Sequence, residues 1–288
     1  MELTVEKIGR IAAGWRQRPI DLNLKPEDMP TARGIHIMLE PTYNTSMTVI
    51  VGMKYRGGIL LKCDSLHLEH DTKSKAPNKV IGIRYGDKIR RLSKYCLIGF
   101  SSNDFYLSTQ SLFVGILALF GNTKGKKLPL EGKIEVMTPL LEGIRKEMRK
   151  KKKDTKLEIL LAFYDFSSKP PEPHLLKIVL GERLTIEDCG NYAAIGSSTV
   201  TDTLATSFKE GGYDIEYTLY DDPPVNGVID ELIEKCSDTE KAYIDVQEPS
   251  PIHVGGTIYQ WRITKEKGAK RQSFERRLPT YIKLEDEL

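Results

Sequence analysis

The stretch TVIVGMKYRGGILLKCDS, Thr48–Ser65, restricts the possible folds more than any other part of the chain. Its apolar and β-branched residues fall into two short runs, Thr48–Lys54 and Gly58–Asp64, with Arg56-Gly57-Gly58 between them. Glycine reaches the backbone angles a tight turn needs, and β-branched side chains suit a pleated surface. The pattern predicts an antiparallel hairpin. A hydroxyl residue, Thr48, opens the first strand and a carboxylate, Asp64, closes the second, so hairpin geometry draws these two chemically useful ends together.

The rest of the chain groups its elements in blocks. Residues 1–47 mix charges with Pro and Gly and show little periodicity, which predicts an N-terminal extension with one short helix near Val5–Trp15. Strands are predicted at Val80–Arg84 and Tyr95–Phe100, with Gly86-Asp87 as a turn. An apolar stripe at helical spacing predicts a helix from Asn103 to Phe120. A second helix is predicted over Met137–Lys153, with Pro139 in its first turn. Strands return at Lys156–Phe166 and His174–Leu180 and helices at Thr199–Lys209 and Val225–Ala242. A strand at Gly255–Ile263 precedes a charged tail, residues 266–288. Strands and helices in separate blocks predict an α+β domain and not a βαβ parallel sheet.

Composition excludes several function classes. The four cysteines lie far apart with no CxxC pair, which favours reduced thiols over zinc ligation. His67, Glu69 and His70 are read as solvent-facing loop residues without a further partner, so no metal or cofactor is expected. The run LFVGILALF is too short to span a bilayer and the N-terminus has no apolar signal core, so a soluble, cytoplasmic protein without a membrane partner is expected. The basic run RKEMRKKKKD, Arg145–Asp154, stands alone against a net charge of +3. It reads as a solvated helix end and not as a nucleic-acid surface.

Four segments in order carry a resemblance: TVIVGMKYRGGILLKCDS, SKAPNKVIGI, YAAIGSSTVTDTLATSF and HVGGTIYQWRI. Together they resemble the β subunits of proteasomes, members of the N-terminal-nucleophile hydrolases, over Thr48 to Thr264. The resemblance implies a four-layer αββα sandwich spanning residues 48–265, with residues 1–47 as a propeptide. It implies a subunit of a ring assembly of similar chains, found in the cytoplasm and, in a eukaryote, also the nucleus. The activity implied is threonine-type peptidase action on peptide substrates, without a cofactor. The positions matching the family's site are Thr48 as nucleophile, Asp64 and Lys79 as its charge pair, and an amide at or next to Phe100 as oxyanion donor. Ser197, Ser198 and Thr199 match its serine-rich loop.

The chemistry needs these residue types. A threonine hydroxyl is a weak nucleophile and requires a base; in this family the base is the threonine's own α-amine. A neighbouring ammonium lowers that amine's pKa and steadies a developing oxyanion, and a carboxylate holds the ammonium in place. The amine exists only if the bond from Met47 to Thr48 is cut. A rival reading, a non-catalytic subunit, draws on Met47, Pro251 and Val254, which stand where active members carry glycine, aspartate and serine. Leu66 likewise replaces a usual arginine, and Ser197–Thr199 also suit a helix cap. A free-standing amidase of the same superfamily is the third reading.

Overall fold

The computed structural model describes residues 49–70, 80–102, 128–151, 156–196, 256–272 and 277–278, together with Asp202, Thr206 and Glu210. In chain order the strands are β1 (Val49–Tyr55), β2 (Gly58–Cys63), β3 (Leu66–His70), β4 (Val80–Tyr85), β5 (Ile89–Ser93) and β6 (Cys96–Ser102). Helix α1 (Leu130–Lys151) precedes β7 (Leu157–Asp165), β8 (Glu172–Leu180), β9 (Leu184–Cys189) and β10 (Tyr192–Gly196). The last strands are β11 (Gly256–Thr257), β12 (Tyr259–Thr264), β13 (Gly268–Gln272) and β14 (Arg277–Leu278).

Two five-stranded antiparallel sheets carry the architecture, one ordered β10-β1-β2-β12-β13 and the other β5-β6-β7-β8-β9. The pairs β3-β4 and β11-β14 are separate two-stranded units. Side-chain alternation explains how the sheets pack. Along β7, Leu160, Ala162 and Tyr164 join Ile50, Ile59 and Leu61 of the first sheet in one core. The alternate residues Ile159, Leu161 and Phe163 pack with Met137, Leu140, Leu141, Ile144 and Met148 of α1 in a second core. Every residue of β7 is buried. That is why its centre, ILLAFY at Ile159–Tyr164, reads as an apolar run and not as an alternation, while Glu158 and Asp165 near its ends are buried charges.

The opening hairpin is present as predicted. Tyr55 pairs with Gly58 across a two-residue turn, Arg56-Gly57. Gly58 has a φ of 149°, and a Cβ there would stand 1.9 Å from the Ile263 carbonyl oxygen, so β2 can approach β12 only with glycine at this position. Gly99 on β6 opens a similar gap between the sheets, since a Cβ there would meet the Ile50 side chain at 2.6 Å.

The expected four-layer αββα sandwich is corrected by the structure. Strand makes up 56% of the described residues and helix 21%, in two antiparallel sheets with one complete helix. The sequence reading undercounted strands for a physical reason. The edge strands β5 (IRRLS), β9 (LTIEDC) and β13 (GAKRQ) carry charges on their exposed positions and break the apolar alternation. Gly268–Gln272, read as part of a charged tail, is hydrogen-bonded to β12. The predicted strand Gly255–Ile263 is divided at Ile258 into β11 and β12.

Helix α1 begins at Leu130, seven residues before the predicted start, with Pro139 inside it. The apolar face that packs on the second sheet, not the proline, sets its extent. The predicted helices at Val5–Trp15, Asn103–Phe120 and Val225–Ala242 lie outside the described residues. Within the predicted helix Thr199–Lys209, Asp202 and Thr206 are helical and exposed, as is Glu210 just beyond it.

Candidate functional site

The hairpin delivers Asp64 to the start of β1, as the sequence implied. Asp64 directly follows β2, and its amide donates to the Val49 carbonyl at 3.3 Å. In return the Val49 amide donates to Asp64 Oδ1 at 3.0 Å. The residue after Thr48 is therefore held by backbone and side chain of the same aspartate.

Lys88 places a cation on this carboxylate. Its Nζ lies 2.8 Å from both Oδ1 and Oδ2 of Asp64. The Asp64 side chain is 0% exposed and that of Lys88 3%, so the two charges neutralise one another away from water. Removing a single partner from such a pair strands the other charge in a medium that solvates it poorly.

The turn carrying Lys88 is anchored on both sides. The Gly86 amide donates to the Ser65 carbonyl at 2.8 Å, and Ser65 Oγ accepts the Thr257 amide at 2.6 Å. Asp87 Oδ1 accepts the Ile89 amide at 2.9 Å, and Asp87 Oδ2 accepts Trp261 Nε1–H at 2.7 Å. Arg271 Nε lies 3.3 Å from the same Oδ2. The Arg90 guanidinium donates to the Asp87 carbonyl. Burial, followed by the negative charges of Asp87 and Asp64, pushes the Cys63 thiol well above its usual range. Cys63 is thus held as a neutral thiol and is unsuited to act as a nucleophile.

Of the residues proposed from sequence, Asp64 and Phe100 are described; Thr48, Lys79, Ser197, Ser198 and Thr199 lie outside the described residues. The Phe100 side chain packs against the core beneath α1. Its backbone is one residue beyond the Ile89–Gly99 pair, which brings that stretch of β6 level with position 88. The Ser197–Thr199 segment follows Gly196, which pairs with Val49 and has a φ of 130°. The Gly196 amide donates to Glu158 Oε2 at 3.0 Å. The ends of β1, β2 and β10 and the turn before β5 thus meet around one buried ion pair.

Lys88 was missed by sequence reasoning although a signal for it exists. The resemblance called for a lysine just before a strand, and both Lys79 and Lys88 satisfy that, preceding β4 and β5 respectively. In chain order β3 and β4 come between the opening hairpin and the second sheet, and only the tertiary structure reveals that Asp64 is met by a lysine from beyond them.

A second buried pair lies on the α1 side. Lys133 Nζ is 3.0 Å from Asp165 Oδ1 and also donates to the Leu128 carbonyl. Burial pushes the Asp165 carboxyl up, but the Ser167 amide and hydroxyl and the Lys133 ammonium outweigh it and hold it below its usual range. A cavity of 20 Å³ lined by Ser93, Tyr95, Cys96, Lys133, Phe163, Tyr164 and Phe166 borders this pair and not Asp64. That is room for about one water molecule. Among the described residues no group of three or more His, Cys, Asp or Glu is placed to hold a metal ion. Compared with protein-family models and with characterised proteins, the chain shows no significant match.

Proposed function

We propose that this chain is a threonine-nucleophile hydrolase of the proteasome β-subunit type, acting on peptide bonds once the Met47–Thr48 bond is cut. The observation that supports this reading is the buried Asp64–Lys88 pair, whose carboxylate also holds the amide of Val49, the residue next to Thr48. A liberated Thr48 amine would begin the strand one residue from that amide. Its unperturbed pKa of about 7.7–8.0 leaves a neutral fraction at physiological pH, and a nearby ammonium enlarges it. The amine takes the hydroxyl proton, the Thr48 oxygen attacks the carbonyl, and Lys88 with the amides around Phe100 balances the oxyanion. In this reading Lys88 takes the role that the resemblance had assigned to Lys79.

The proposed setting is a ring of similar subunits that encloses peptide substrates. Intact-mass analysis and light scattering on the purified chain test both parts. A species beginning at Thr48 that hydrolyses peptide amides, lost in Lys88→Ala, is expected within a multi-subunit assembly. A strictly full-length, monomeric and inactive chain overturns the proposal.

One observation favours a second reading, a non-catalytic subunit. Both Asp64 oxygens are bonded to Lys88 in a closed environment, as expected for an internal staple. Correct assembly with full-length chain and no hydrolysis selects it.

A further inference from the structure

Lys88 directly follows Asp87 in the chain, yet its ammonium is bonded to Asp64. Asp87 is nearly buried, at 8% side-chain exposure, and is engaged from a different quarter. Its Oδ1 accepts the Ile89 amide at 2.9 Å and lies 3.6 Å from Cys63 Sγ. Its Oδ2 takes Trp261 Nε1–H at 2.7 Å and the Arg271 guanidinium at 3.3 Å. Trp261 and Arg271 are themselves cross-strand partners on β12 and β13. Arg271 also lies over the Tyr259 ring, 4.3 Å from its centre, which restricts the guanidinium that meets Asp87.

We propose that Asp87 is the positioning residue for Lys88: held by Trp261 and Arg271, it fixes the turn from which Lys88 reaches Asp64. The physical reason is division of charge. A carboxylate adjacent in sequence to the lysine would compete with Asp64 for the ammonium unless its own acceptor sites were filled. The indole N–H, the Ile89 amide and the Arg271 cation fill them, leaving Lys88 to Asp64. The Asp87 carboxylate also ties the Ile89 amide, so the direction in which the lysine leaves the backbone is set by the same group. The β12-β13 hairpin thereby becomes part of the site through Asp87.

This inference builds on reading Asp64–Lys88 as the charge pair of the proposed site, but its test does not depend on turnover. The full-length chain carrying 15N-labelled lysine is examined by NMR through its buried ammonium signals. Lys133, paired with Asp165 on the far face of the second sheet, is the internal control. In Asp87→Ala the Lys88 ammonium protons are expected to exchange with water about tenfold faster, the effect of one charged hydrogen-bond anchor, while Lys133 is unchanged. Asp87→Asn, which keeps an acceptor oxygen, is expected to restore much of the protection. Trp261→Phe keeps the ring, removes one donor and should fall between them. It decides the matter alone if Asp87→Ala does not fold. An unaltered Lys88 signal in these variants overturns the proposal, as does equal loosening of Lys88 and Lys133, which signals general destabilisation. Failure of the proposed peptidase reading shows separately, as the absence of a species beginning at Thr48.

Discussion

Asp64 and Lys88 are paired away from water, so the cost of separating them exceeds anything expected of a surface pair. Removing one partner from a buried ion pair destabilises by about 3–5 kcal/mol, whereas apolar replacement of both is often neutral. Lys88→Ala is therefore expected to lose about 3 kcal/mol in urea unfolding. The double variant Asp64→Leu with Lys88→Met should recover most of that loss while remaining unable to hydrolyse peptides. Recovery of activity along with stability would show that the pair only staples the fold. Asp165 leads to a pH prediction. Its folded pKa lies below the unfolded value, so its contribution is present above the unfolded carboxylate pKa of about 3.9 and is lost as pH falls through the folded value. Asp165→Asn should flatten the acid limb of the stability profile below about pH 4, while leaving its shape near neutrality unchanged. Unfolding curves collected from pH 2 to 7 for both proteins measure the difference.

At the scale of elements, the opening hairpin was legible because three local signals agree: β-branched runs, a glycine turn and terminal polar residues. Gly58 makes the agreement testable. Its backbone φ of 149° and the 1.9 Å approach of a would-be Cβ to the Ile263 oxygen leave no room for a side chain. Gly58→Ala should cost about 3 kcal/mol, read as a lowered urea midpoint, by forcing β2 away from β12. A change under about 0.5 kcal/mol, the range of an ordinary surface substitution, is incompatible with this packing. Helix α1 shows where local signals mislead. Pro139 favours a helix start by its fixed φ and missing N–H, yet Leu130 and Ile134, upstream of it, pack at the edge of the α1 core. Tertiary burial outweighs the local preference, and the Thr138 hydroxyl donates to the Ile134 carbonyl at 2.8 Å beside the proline. Edge strands were illegible for the opposite reason. In β9, whose burial alternates imperfectly along Leu184–Cys189, charged residues face solvent and conceal the period.

At the scale of the whole molecule, the C-terminal hairpin ties distant parts of the chain together. β12 pairs with β2, β13 pairs with β12, and Trp261 and Arg271 reach Asp87. Truncation after Glu266 removes β13 along with Ala269, which is buried between the sheets. It should lower unfolding stability by at least about 2 kcal/mol through lost ladder bonds and apolar burial. A dispensable charged tail would leave the urea midpoint where it was. The same truncation should speed Lys88 ammonium exchange, because it takes away the Arg271 contact to Asp87.

Short-range pattern alone determined the antiparallel hairpin at residues 49–63, the existence of a strand at residues 157–165 and the meeting of Asp64 with the beginning of β1. Each depends on residues close in sequence or on unbroken apolar runs, where one local geometry dominates. The tertiary structure decided that Lys88 meets Asp64, how many strands make up each sheet, and that Gly268–Gln272 belongs to the first sheet. Those outcomes depend on contacts between segments separated by tens to hundreds of residues. There a charge is matched by whichever partner the packing brings within hydrogen-bonding distance, and that choice leaves no periodic trace in the chain.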